Sequence, residues 1–237
     1  MGRRKAVLYQ HAGAWSFFLS GDSMISGIQI QYLGVAALWT VGLTLMALIG
    51  GSILGFCIAL FRVSPNSVLR YLSVVYIQTI QGIPLLVLLF IAYFGFSIAG
   101  FNPSPFVTVV VAFSLYSAAY LGEIWRGCIQ TVPKPQWEAS GSLGFNRYQQ
   151  LRLVIIPQAF RIATPPTVGF LVQLVKNTSL ASTVGFIELA RAGQILNNTT
   201  FKPFSVFLLV ALFYFGLCFP LSLLSKKLER SLNVAHR

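Results

Sequence analysis

Gln136-Trp137-Glu138-Ala139-Ser140-Gly141-Ser142-Leu143-Gly144-Phe145, followed by Val154-Ile155-Ile156-Pro157, is a polar and basic island in a chain otherwise built of apolar runs. Prolines bound it, with Pro133 and Pro135 at the entrance and Pro157 at the exit. Proline fixes φ and lacks an N–H, so these boundaries delimit a short helix inside a loop covering residues 133–157. Glu138 is expected in the first turn of that helix, where the dipole favours a carboxylate. Ala139, Ser140, Gly141 and Ser142 leave one surface low enough for a partner protein to approach. Gly144 permits a sharp change of direction into the next segment.

Outward from this island, composition decides the class. The 237 residues are 56% hydrophobic and 9% charged, with a mean hydropathy of +0.74. A soluble domain could carry that only by exposing large apolar patches, so the chain reads as an all-α integral membrane protein. Seventeen Lys and Arg against five Asp and Glu give a net charge of +12. In a soluble protein this balance would point to nucleic acid; in a helical membrane protein it reflects basic residues gathered in cytoplasmic loops. Cys57, Cys128 and Cys218 have no CxxC spacing and read as small hydrophobes, and His11 and His236 near the termini give a metal site little to build on.

A span needs about 20 residues to cross a core of about 30 Å. Five runs meet that length: Leu33 to Phe61, Val68 to Ile98, Pro105 to Trp125, Pro165 to Ile187 and Pro203 to Leu224. Gly82-Ile83-Pro84 interrupts the second and predicts a kink there. This divides the chain into a lead-in over residues 1–32, a membrane domain over 33–225 and a basic tail over 226–237. The lead-in begins Arg3-Arg4-Lys5, shows no cleavable signal pattern, and has Trp15, Phe17 and Phe18 suited to a membrane surface.

Arg62 and Arg70 flank the first loop, Arg126, Lys134, Arg147, Arg152 and Arg161 populate the third, and Lys226, Lys227 and Arg230 follow the last span. The positive-inside rule puts all of these in the cytoplasm. The Ala99 to Ser104 loop carries no charge, as an outside loop should. Five spans with the C-terminus inside place the N-terminus outside. The basic residues at its start oppose this, but they lie far from the first span, where the rule weakens.

The central island resembles the cytoplasmic coupling loop of ABC importer permeases, whose pattern is Glu-Ala-Ala, three residues, Gly, nine residues, then Ile-x-Leu-Pro. All the spacings match. Ser140 stands at the third position of the triplet, and Val154 and Ile156 stand where Ile and Leu are usual. Four further blocks extend the likeness from about Tyr71 to the last span: Gln81 to Val87, Tyr120 to Gly127, Pro157 to Arg161, and Lys176 to Ser182. They are similar to the permeases of the polar amino acid (histidine, glutamine, glutamate, arginine, opine) importers, with Asn177 where that family commonly has Asp. The resemblance implies the five-helix type I permease core in a bacterial inner membrane. It also implies that Glu138, Ala139, Ser140, Gly144 and Pro157 belong to the docking loop for an ATP-binding subunit. A second permease chain, like or unlike this one, and an external solute-binding protein complete the implied assembly. The chain has no GxxxxGK[ST] loop and no Gly-Lys dipeptide, so ATP and its Mg²⁺ are expected on the partner.

Within the apolar runs, Lys176 falls near the middle of the fourth span, where an ionisable group is expensive and normally faces a cavity or bundle interior. Gln173, Lys176 and Asn177 share a face by their i, i+3 and i, i+4 spacing, with Thr178 and Ser179 close to it. Two uses fit: lining the translocation pathway, or gluing helices together. The cost of lysine favours the pathway, and the face's positive charge then favours a neutral or acidic amino acid over a cationic one. Gln78 and Gln81 form a weaker pair in the second span, while Glu123 and Arg126 are spaced to pair with each other. Gly51 and Gly55 form GxxxG, and with Gly34, Gly42 and Gly50 predict close helix packing. The alternative is a secondary transporter or channel, which would need an intramembrane carboxylate relay. Asp22, Glu123, Glu138, Glu188 and Glu229 fall mostly near span ends or in loops and do not form one. No nucleophile–base or metal constellation marks an enzyme.

Overall fold

A capping box opens the first helix: the Ser26 hydroxyl accepts from the Gln29 N–H at 3.4 Å, and the Gln29 side chain accepts from the Ser26 N–H at 2.9 Å. The computed structural model describes residues 26–235, so most of the 1–32 lead-in lies outside the described residues. Helix α1 covers Gly27–Arg62, α2 Ser67–Gly82, α3 Leu85–Ile98 and α4 Pro105–Thr131. The central loop holds α5 (Lys134–Ser142) and α6 (Arg147–Gln149), followed by a π-helical turn over Gln150–Ile155. Helix α7 (Ile156–Asn177) continues into a 3₁₀ segment (Thr178–Val184), and α8 (Leu189–Thr200) and α9 (Pro203–Ala235) complete the chain.

Three helices, Gly27–Arg62, Pro105–Thr131 and the Pro203–Leu232 stretch of α9, are long and apolar enough to cross a membrane. Counting each of two broken helix pairs as one span brings the number among the described residues to five. The second run does not kink but folds by 103° between α2 and α3. Ile83 is extended there (φ −110°, ψ 132°), as a residue before proline must be, and Pro84 cannot donate back into α2. The fourth run is bent by 51° between the 3₁₀ segment and α8, with Gly185 at φ +87° in the break. It also begins well before Pro165, because α7 runs straight through Pro165 and Pro166. The missing N–H groups leave the Arg161 and Ile162 carbonyls without their helical donors, and nearby the Ser225 hydroxyl of α9 donates to the Pro165 carbonyl at 2.9 Å, tying the two helices together.

Lipid tails are as apolar as Leu, so close packing rather than water exclusion must hold these helices together. The α1–α4 contact supplies it. A Cβ added at Gly51 would sit 2.3 Å from the Ser117 Cβ, and one at Gly55 would sit 3.1 Å from the Ala118 carbonyl oxygen. Gly34 and Gly42 have nothing within 4 Å of such an atom, so the packing expected of them does not occur within this chain. Gly51→Ala is therefore expected to lower stability by about 1–3 kcal/mol, whereas Gly42→Ala should be neutral or slightly stabilising. Thermal unfolding of the two purified variants compares them directly; equal midpoints would refute the notch.

At the Arg62 end of the same pair, Glu123 accepts from Arg126 Nε at 2.9 Å and lies 3.5 Å from Arg62 Nη2. The expected Glu123–Arg126 pair therefore forms, and Arg62 extends it to α1.

Candidate functional site

Helix α5 is a separate piece of structure. Pro133 precedes it, and its last turn closes on Gly144 at φ +78°. The Gly144 N–H donates to the Gly141 carbonyl at 2.9 Å and the Phe145 N–H to the Ser140 carbonyl at 3.2 Å, the paired bonds of a Schellman motif. Asn146 then starts α6 through a capping box with Gln149, at 3.0 and 2.9 Å. That box was not anticipated, although the Asn-x-x-Gln spacing is its usual signature.

Beneath α5 lies a small core of Ile129, Val132, Ile155 and Ala159, with Trp137 packed against it. The Arg147 guanidinium stands 4.3 Å over the Trp137 ring, and Gln150 Nε2 donates to the Trp137 carbonyl at 3.4 Å. Ser140 is only 2% exposed and donates its hydroxyl to the same carbonyl at 2.9 Å. It therefore faces the chain's own core and not a partner. After Trp137 the exposed residues are Glu138, Ala139, Gly141, Ser142 and Leu143. Glu138 falls in the second turn, since α5 starts at Lys134, and the dipole argument made for it does not hold.

Pro157 does not end the loop. It is exposed and lies in the first turn of α7, directly after the π-helical turn. A proline ring clashes with the carbonyl four residues back, and widening the preceding turn relieves this. Gln158 Nε2 donates to the Val154 carbonyl at 2.9 Å within the same turn.

The second group of residues lies at the far end of α7. Gln173 Nε2 and Asn177 Nδ2 each lie 3.4 Å from the Tyr116 hydroxyl of α4. Tyr120 and Phe170 stack at 5.6 Å beside them, and the Tyr116 and Tyr120 rings are 4.5 Å apart. The sequence reading missed Tyr116; its one available signal was the i, i+4 relation of the two tyrosines. Lys176 is exposed on the last turn of α7, close to the middle of the broken fourth run, and its charge suits a helix C-terminus. Thr178 is buried and donates to the Val175 carbonyl at 2.7 Å, while Ser179 donates to the Lys176 carbonyl at 2.8 Å. Both hydroxyl protons thus stay on the local backbone, and Thr178 faces no open space. Gln78 and Gln81 are exposed on α2, with Gln81 Nε2 3.4 Å from the Ala119 carbonyl beside Tyr120.

Glu188 departs most from expectation. It is 0% exposed, in the break of the fourth run and not at a span end. Its carboxylate caps α8 by accepting from the Ala190 and Arg191 N–H groups at 2.9 and 2.8 Å, and it accepts from the Tyr214 hydroxyl at 2.7 Å. A carboxylate so held is a structural cap.

The chain matches, over residues 47–234, the family described as binding-protein-dependent transport system inner membrane component. It belongs to that family. This permease is 40% identical over 82% of its length to 84% of the L-cystine transport system permease protein TcyB of Bacillus subtilis. It is 35% identical over 86% of its length to 89% of the probable amino-acid ABC transporter permease protein YckA of the same species. Among solved structures, an amino acid ABC transporter crystallised with histidines superposes with a TM-score of 0.81 at 31% identity, covering 88% of this chain and 99% of that one. The permease is thus a transport component of the inner membrane with the all-helical type I architecture.

Proposed function

We propose that this permease carries a polar amino acid into the cytoplasm, with ATP and Mg²⁺ bound on two partner subunits that dock against α5. A second permease chain faces it across the pathway, and a solute-binding protein delivers the amino acid from outside. The observation that carries this reading is α5 itself. It is a glycine-closed helix seated on its own small core, with small residues outermost. A helix anchored that way transmits a push to α4 and α7 rather than yielding to it. Closure of the ATP-binding pair then shifts the spans between two packed arrangements, inward-open and outward-open.

The pathway face is assigned to Gln173, Lys176 and Asn177, with Gln78 and Gln81 at its edge and the Tyr116, Tyr120 and Phe170 rings as its wall. Thr178 and Ser179 support its backbone. The N-terminus lies outside, and the tail from residue 226 lies in the cytoplasm. In a cysteine-free background, a membrane-impermeant thiol reagent applied from outside should label a cysteine at Asn102 and spare one at Ala139. A cross-linker at Ala139 should capture the ATP-binding subunit. Labelling of Ala139 from outside, or no capture in the assembled complex, would overturn the docking assignment.

A further inference from the structure

We infer that the groove between α1, α4 and α7 holds an acyl chain of an anionic phospholipid from the cytoplasmic leaflet, with the lipid's phosphate on Arg152 and Arg161. The inference rests on the orientation proposed above, which puts this end of α7 at the cytoplasmic face. The groove has a volume of about 290 Å³ and lies between Phe56 of α1, Trp125 and Ile129 of α4, and Ile156, Phe160 and Val168 of α7. Its side-chain donors are spent within the chain. The Trp125 indole N–H donates to the Thr167 hydroxyl at 2.9 Å, and the Thr167 and Thr164 hydroxyls donate to the Ala163 and Phe160 carbonyls at 2.7 and 2.9 Å. A wall of this kind offers little to water or to a polar solute and suits a hydrocarbon chain.

From Ile156 to Val168 the groove runs about 18 Å along α7, close to one leaflet's share, about 15 Å, of the hydrocarbon core. Phe160 is 73% exposed at its rim. Phe160 and Thr167 stand about 120–140° around α7 from Gln173, so the groove opens away from the side that packs on Tyr116. Charge selects the headgroup. Arg152 precedes Ile156 by four residues and stands one turn nearer the cytoplasm on the same side, and Arg161 follows Phe160; both arginines are exposed. Arg152 donates to the Tyr148 hydroxyl at 3.1 Å, and neither arginine is in an ion pair among the described residues. Among those residues no carboxylate lines the groove. Two guanidinium groups on long stems can reach a phosphate at the membrane surface, and they favour a headgroup that brings no cation of its own. The groove shares Ile129 and Ala159 with the core beneath α5, so the bound chain completes the packing under that helix.

The test uses the assembled permease–ATPase complex in lipid nanodiscs. The probe is phosphatidylglycerol with a photoreactive diazirine on one acyl chain, competed by unlabelled phosphatidylglycerol or by phosphatidylcholine. Cross-links should map to Phe56, Trp125 and residues 163–168, and phosphatidylglycerol should displace the probe at about tenfold lower concentration than phosphatidylcholine. Arg152→Gln combined with Arg161→Gln should erase that preference while the cross-links stay in the groove. Thr164→Phe, which fills the groove from its rim, should remove the cross-links at Phe56 and Trp125 in complexes that still hold the ATP-binding subunit. Equal displacement by the two lipids, an unchanged preference in the arginine variant, or cross-links that avoid the groove would overturn the inference. So would a disulfide between cysteines placed at Phe160 of two permease chains, which would give the groove to a second copy. The orientation reading fails separately, through labelling of Ala139 from outside, in an assay that measures no lipid.

Discussion

Gly144→Val is expected to abolish uptake by the assembled transporter while the permease still reaches the membrane at its normal level. The reason is backbone and not crowding. A Cβ at Gly144 would meet nothing within 4 Å, yet its φ of +78° lies in the left-handed region. A β-branched residue is strained there, by upwards of about 1–2 kcal/mol. Relieving that strain requires unwinding the Schellman turn, which tilts α5 off the core under Trp137. The spans lie elsewhere and should insert as before. Gly144→Asn, whose side chain tolerates the left-handed region, should retain most uptake. Uptake into proteoliposomes and co-purification of the ATP-binding subunit provide the readouts; full uptake by the valine variant in an intact complex would remove the docking role from this turn.

Glu188→Ala should destabilise the folded permease by about 3–5 kcal/mol, because it strands several buried donors together. The Ala190 and Arg191 N–H groups lose their acceptor at the start of α8, and the Tyr214 hydroxyl loses its partner. The Leu189 N–H would still donate to the Thr40 hydroxyl at 3.2 Å, a polar tie from α8 to α1. For a chain of this size the loss corresponds to a fall in melting temperature on the order of 10 °C. Glu188→Gln keeps one acceptor oxygen and should lose less. A melting point for the alanine variant within about 2 °C of the parent would show that the cap contributes little.

The membrane class, the α5 island and its closing glycine were legible because each depends on local facts. Runs of apolar residues, proline boundaries and the demand for φ > 0 at Gly144 are properties of a few consecutive residues. The Glu123–Arg126 pair belongs to the same kind, since i, i+3 neighbours meet on any helix. Judgements about facing directions fared differently. Ser140 was read with its small neighbours as an outer surface but turns inward, and Thr178 was placed near open space but is buried.

By itself, then, the sequence determined that the chain is a bundle of membrane helices carrying a short glycine-closed helix between its third and fourth spans. The tertiary structure alone decided that Gly51 and Gly55 form the notch while Gly34 and Gly42 stay open. It also decided that Gly82-Ile83-Pro84 folds by 103°, that Tyr116 joins Gln173 to Asn177, and that Glu188 is buried. The physical reason is the solvent. In water, an apolar stripe shows which face of a helix turns inward. In lipid both faces are apolar, so the inward face is chosen by close approach and by polar groups finding partners on helices distant in sequence.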